Sequence, residues 1–157
     1  LHTGAQPLRS ESGSVLATCN GEIYNFQALR RDLEASGHRF ATRSDCETIV
    51  HLYEEKGADC IADLDGMFAI AIWDDRTGRL TLARDRAGKK PLFYYHSGDV
   101  FALASEIKAF FGHPDIDIEI DPDAQTARVE ATVRREIADV RADGDVQIET
   151  PPTGGST

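Results

Sequence analysis

Four short strand-like runs follow one another between residues 67 and 104 with no room for a helix among them. They cover 67–73, 80–84, 92–96 and 100–104 and are rich in branched and aromatic side chains. Asp74-Asp75-Arg76-Thr77-Gly78 divides the first two and Ser97-Gly98-Asp99 the last two, and both segments have hairpin composition. A charged, Gly-containing turn over 85–90 joins the middle pair. Strands joined this tightly pair antiparallel, because a parallel crossover needs about a dozen residues or more. The pattern predicts a meander in one antiparallel sheet.

Upstream the period changes. Residues 15–19 alternate weakly and suit a short strand. Asn25 is placed as a helix N-cap, Phe26, Leu29, Arg30 and Leu33 follow at helical spacing, and Gly37 stands where the chain leaves the helix. Residues 38–42 suit another strand. Ser44-Asp45-Cys46-Glu47 has the form of a capping box, with Cys46, Ile49, Val50 and Tyr53 as the apolar stripe behind it. Gly57 closes that helix, and residues 105–111 suit a short one. Helices flanking antiparallel sheets make an α+β domain.

Past residue 112 the signal weakens. Val129, Val133, Ile137 and Val140 recur at helical steps, which predicts an amphipathic helix over 123–141. Val146 and Ile148 suit a stub of strand, and 151–157 reads as a disordered, linker-like end. The division expected is a domain over 1–123 and a tail over 124–157.

Charge excludes several classes. Among 157 residues, 17 are Lys or Arg and 27 are Asp or Glu, a net charge of -10, which argues against nucleic acid or an anionic membrane as partner. The longest apolar run, 67–73, is far too short to span a bilayer. Cys19, Cys46 and Cys60 are odd in number and widely spaced, as suits reduced thiols in the cytoplasm. The five histidines show no metal-ligand spacing, so no metal site is expected, and His51 is read as half-exposed. Leu1 stands where a start Met belongs, so the chain is expected to be part of something longer.

Two groups suit chemistry. In Asn20-Gly21-Glu22, a side-chain amide beside a residue without Cβ can donate twice to a developing oxyanion, and Glu22 can hold an ammonium. Asn-Gly is also a strong hairpin-turn signal, and the triplet alone favours that turn. Asp45, in the first turn of a helix, suits the helix dipole unless a second carboxylate shares its ligand. Gly88-Lys89-Lys90 lacks the rest of a phosphate loop and is read as a turn.

Six segments, in order, carry a resemblance: Gly4-Ala5-Gln6-Pro7-Leu8, Asn20-Gly21-Glu22-Ile23-Tyr24-Asn25, Ser44-Asp45-Cys46-Glu47, Leu64-Asp65-Gly66-Met67-Phe68-Ala69, Ala83-Arg84-Asp85-Arg86-Ala87-Gly88-Lys89-Lys90-Pro91-Leu92 and Ala104-Ser105-Glu106-Ile107-Lys108-Ala109. Together they resemble the glutamine-hydrolysing domain of asparagine synthetases, in the class II, N-terminal-nucleophile glutamine amidotransferase family. The resemblance covers residues 1 to about 123.

It implies an incomplete four-layer αββα sandwich with antiparallel sheets. It also implies an oxyanion hole from Asn20 and Gly21, and a hold on the glutamine α-amino group by Glu22 and Asp45. The family's nucleophile, a Cys at the first position of the mature chain, and the Arg that holds the α-carboxylate have no counterpart in these residues. The parent is expected to hydrolyse glutamine and supply ammonia for ATP-dependent amidation of aspartate, with this chain alone inactive. Partners implied are glutamine, a C-terminal synthetase domain and further copies of the parent. No cofactor is expected in this chain; ATP and magnesium belong to the synthetase domain. The alternative reading is a non-catalytic glutamine-binding or interaction module.

Overall fold

The computed structural model describes residues 4–97, 100–116, 137–141 and 146–149. In chain order these give β1 (Leu8–Arg9), β2 (Val15–Ile23), α1 (Phe26–Ala35), α2 (Glu47–Lys56), a 3-10 turn (Gly57–Asp63), β3 (Gly66–Asp74) and β4 (Arg79–Arg84). β5 (Phe93–Ser97), β6 (Val100–Ala104), a second 3-10 turn (Ile107–Phe110), β7 (Ile137–Arg141) and β8 (Val146–Glu149) follow. One antiparallel sheet has the order β1-β2-β3-β4-β7-β8, and β5 and β6 pair by themselves.

The long β2–β3 pair is the spine. Opposed residues share a face, so Val15, Ala17, Cys19 and Ile23 lie with Phe68, Ile70 and Ile72 on one side. These residues pack with Ile49, Val50, Leu52 and Tyr53 of α2 in the main core. The opposite face carries Ala71 and Leu82, and Leu92 and Phe101 from the β5–β6 layer close over them. β3 is thus buried on both faces, which explains its unbroken apolar run. The fold is α+β: helices, a large antiparallel sheet, then a second antiparallel layer. No helix among the described residues is long and apolar enough to cross a membrane.

Gly37 ends α1 with φ +105°; its N–H reaches the Glu34 carbonyl and the His38 N–H the Leu33 carbonyl. Several expectations need correcting. The 67–104 meander is split, because β4 and β5 lie in different sheets. The turn between them is pinned by its own side chains. Asp85, buried, accepts the N–H groups of Phe68, Lys89 and Lys90, while Arg84 donates to the Gly88 and Lys90 carbonyls. Residues 38–42 form no strand. The capping box does not form either. Cys46 occupies the N-cap, and Glu47 turns back to accept the N–H groups of Ala41 and Thr42.

In the tail, Ile137–Arg141 is a strand and not the end of a helix; it pairs with β4 from Arg79↔Arg141 to Leu82↔Ala138. Ile137 and Val140 stand three apart, a helical step and not an alternating one, so the pairing with β4 overrides the local period. The strand stub holding Val146 and Ile148 is β8. The rest of the expected helix, 123–136, and the end at 151–157 lie outside the described residues.

Candidate functional site

Asn20-Gly21 is not a hairpin turn. β2 runs straight through it, with Asn20 opposite Ala69 and Gly21 opposite Phe68. Glycine is required here by close approach: a Cβ on Gly21 would stand 2.0 Å from the Met67 carbonyl oxygen, and one on Gly66 would stand 2.2 Å from that of Glu22. The two glycines let β2 and β3 meet at this end of the sheet.

The ladder fixes where the Gly21 amide points. Tyr24 donates its N–H to Asp65, so the 24–65 pair is hydrogen-bonded and, by alternation, the Gly21–Phe68 pair is not. The N–H of Gly21 therefore faces away from β3, toward the β1 edge. β1 covers only Leu16 and Ala17. Beyond it, Gln6 takes over that edge, donating to the Cys19 carbonyl at 2.8 Å and accepting the Cys19 N–H at 2.7 Å. One period past Gly21, the Ile23 N–H is taken by the Asp45 carboxylate at 2.8 Å. The Gly21 N–H lies between these two on one edge, and its carbonyl receives a weak contact from the Cys46 thiol at 3.9 Å.

Asn20 and Glu22, both exposed, lie on the face toward the second sheet. Asn20 lines a cavity of about 180 Å³ with Thr18, Ala69, Leu92, Leu103 and Ser105. Asp45 is half-buried one residue ahead of the N-cap of α2, and its carboxylate goes to β2 instead of its own helix end. The structure thus brings Asn20, Gly21, Glu22 and Asp45 to one end of β2. A larger cavity, about 480 Å³, contains none of them and is lined by Tyr24, Asp65, Arg84, Asp85 and Lys89 among others.

The cysteines are poor nucleophiles where they stand. A hydrogen bond to the Cys46 thiol, and then burial, push the Cys19 thiol up. Burial, with Asp63 nearby, pushes Cys60 up to about 12. All three are buried and free. Gln6 and Asp85, which brace this end of the sheet, were not singled out by spacing or periodicity. Their signal lay in two of the segments that carry the family resemblance, residues 4–8 and 83–92, which contain them.

A solved glutamine phosphoribosylpyrophosphate amidotransferase from B. subtilis, complexed with ADP and GMP, superposes with a TM-score of 0.66 at 25% identity, over 92% of this chain and 31% of that one. A second solved structure, described as the allosteric regulatory enzyme of purine biosynthesis, gives 0.65 at 27% identity over 92% of this chain and 30% of that one. The class is therefore that of the N-terminal-nucleophile amidotransferases.

Within it, the family model of the glutamine amidotransferase domain matches residues 1–142, so this chain belongs to that family. The match includes β7. Among curated relatives, asparagine synthetase [glutamine-hydrolyzing] 2 of Bacillus subtilis is 51% identical over 114 residues, 73% of this chain and 15% of that protein. Asparagine synthetase [glutamine-hydrolyzing] 3 of the same organism is 48% identical over 123 residues, 77% of this chain and 20% of that protein. The chain spans between a seventh and a fifth of those relatives' length.

Proposed function

We propose that Asn20, Gly21, Glu22 and Asp45 are the glutamine-holding side of a glutaminase site in an asparagine synthetase-type amidotransferase. The observation that carries this reading is the backbone edge of β2. Gln6 takes the amide of Cys19, Asp45 takes that of Ile23, and the amide of Gly21 points out between them. When a thiolate attacks the side-chain amide carbon of glutamine, the C=O electron pair moves onto oxygen. That oxyanion takes hydrogen bonds from the Gly21 N–H and the Asn20 side-chain amide. Glu22 and Asp45 hold the α-ammonium by charge. The tetrahedral intermediate collapses by expelling the nitrogen, which takes up the proton the thiol gave up and leaves as ammonia, and water later adds to the thioester and releases glutamate and the thiol.

The nucleophile is a cysteine outside these 157 residues, since Cys19, Cys46 and Cys60 are buried and at least two have raised thiol pKa values. The 157-residue chain alone is accordingly inactive. In the complete enzyme the ammonia would go to an ATP- and magnesium-dependent amidation of aspartate on a separate synthetase domain. The test is glutamate release by the purified chain. None above background is expected, and release that disappears on Cys19→Ser or Cys46→Ser would overturn the assignment.

A further inference from the structure

We infer that Glu11, His38, His51 and Glu54 form a binding site for one divalent transition-metal ion of the zinc type. Each of the four offers one ligand atom, and those atoms all lie within 4.8 Å of one another. Glu11 comes from the turn between β1 and β2, His38 from the residues after α1, and His51 and Glu54 from successive turns of α2. The histidine spacing predicts no metal site because the ligands come from three separate segments.

His51 shows that packing alone does not explain the cluster. It is fully buried, and neither ring nitrogen has a hydrogen-bond partner. A buried polar ring left unsatisfied is costly. Its Nδ1 faces Glu11 Oε2 at 3.7 Å, and His38 Nδ1 faces Glu11 Oε2 at 3.2 Å and Glu54 Oε2 at 4.0 Å. Zinc–nitrogen and zinc–oxygen bonds of about 2.0–2.2 Å in a tetrahedron put ligand atoms roughly 3.3 Å apart, so closure draws the widest pair together by up to about 1.5 Å.

Each ligand also has a polar group on its outer side. His38 Nε2 lies 3.3 Å from Glu55 Oε1, and His51 Nε2 lies 3.6 Å from Glu47 Oε1. Glu47 is fixed in turn by the Thr42 hydroxyl and the N–H groups of Ala41 and Thr42. Glu11 Oε1 accepts the Arg39 N–H, and Glu54 Oε1 accepts the Ser12 hydroxyl at 2.7 Å. A carboxylate behind each imidazole and a donor behind each carboxylate are what orient metal ligands. Two imidazoles with two carboxylates suit zinc and its neighbours better than calcium or magnesium, which take oxygen alone. A bound ion would tie two connecting loops to α2.

The test uses the full chain, stripped with a chelator and titrated with Zn²⁺ against a chromophoric competitor, then with Co²⁺. One ion per chain is expected, with the strong visible bands of tetrahedral Co²⁺ and a raised melting temperature. His38→Ala and Glu54→Gln should each weaken Zn²⁺ binding at least tenfold, and Glu55→Gln about tenfold. These side chains are partly exposed, so the variants test the site even where His51→Ala fails to fold. Binding unchanged by His38→Ala, a pale octahedral Co²⁺ spectrum, or a thiolate-to-cobalt charge-transfer band would overturn the proposal. In that event the cluster is a carboxylate–imidazole network.

Discussion

The carboxylate of Asp45 accepts the backbone N–H of Ile23 at 2.8 Å, tying the front of α2 to the end of β2. Ile23 is buried, so removing the acceptor strands its amide. Asp45→Ala is expected to cost about 1–3 kcal/mol of folding stability, measured by urea unfolding. Asp45→Asn keeps an acceptor oxygen and should recover most of that loss, but not the charge that the proposed ammonium contact needs. Equal glutamine binding by Asp45→Asn and the parent chain would remove Asp45 from the site.

Gly21→Ala and Gly66→Ala both force a Cβ into backbone. Each is expected to destabilise by about 1–3 kcal/mol or more. Gly112→Ala, where nothing lies within 4 Å, should change stability by less than about 0.5 kcal/mol. Thermal melts of the three variants decide this, and a neutral Gly21→Ala would contradict the close approach of β2 and β3.

Asp85 sets an acid limit on the 85–90 turn. Burial pushes its carboxyl up, but backbone N–H groups of Lys89, Lys90, Phe68 and Ala87 together outweigh burial and hold it below the usual carboxylate range. A carboxylate depressed in the folded state stabilises above its unfolded value and loses that contribution as pH falls through its folded value. Asp85→Asn should therefore flatten the stability–pH curve below about pH 5 and lower the plateau at neutral pH. Parallel curves for both proteins would show that Asp85 does not titrate with unfolding.

β7 covers an edge of β4 along four residue pairs. Deleting residues 124–157 removes β7 and β8 and leaves that edge open. A clear fall in melting temperature is expected, with faster hydrogen exchange at the β4 amides. No change in either would mean that the pairing contributes nothing to the sheet.

Both helices and most strands up to residue 104 were legible in the sequence because their periods are local, although the strand expected over 38–42 does not form and β2 runs past 19 to Ile23. Phe26 to Leu33 and Cys46 to Tyr53 each present one stripe, and β3 is a continuous apolar run. The sequence did not carry which sheet each strand joins. That depends on Asp85 and Arg84 fixing a turn from within, which periodicity does not register. Asn20-Gly21 misleads for a related reason. The pair prefers a turn, yet here the glycine serves the approach of two backbones and the strand continues. His51, expected to be half-exposed, is buried because the loop carrying His38 and Phe40 folds over it. In the tail, Ile137 and Val140 fit the helical period alone, and the pairing with β4, which no local period registers, makes the strand.

The proposed hold on glutamine, where the Gly21 amide leaves the β2 edge, is tested most directly by titrating the ¹⁵N-labelled 157-residue chain with glutamine. The Gly21 backbone amide and the Asn20 side-chain amide should shift together and saturably, with smaller shifts at Glu22 and Ile23, and Asn20→Ala should weaken the response. Glutamine that shifts instead the residues of the larger cavity, Tyr24, Asp65 and Lys89, or leaves Gly21 unmoved at saturation, would contradict the account.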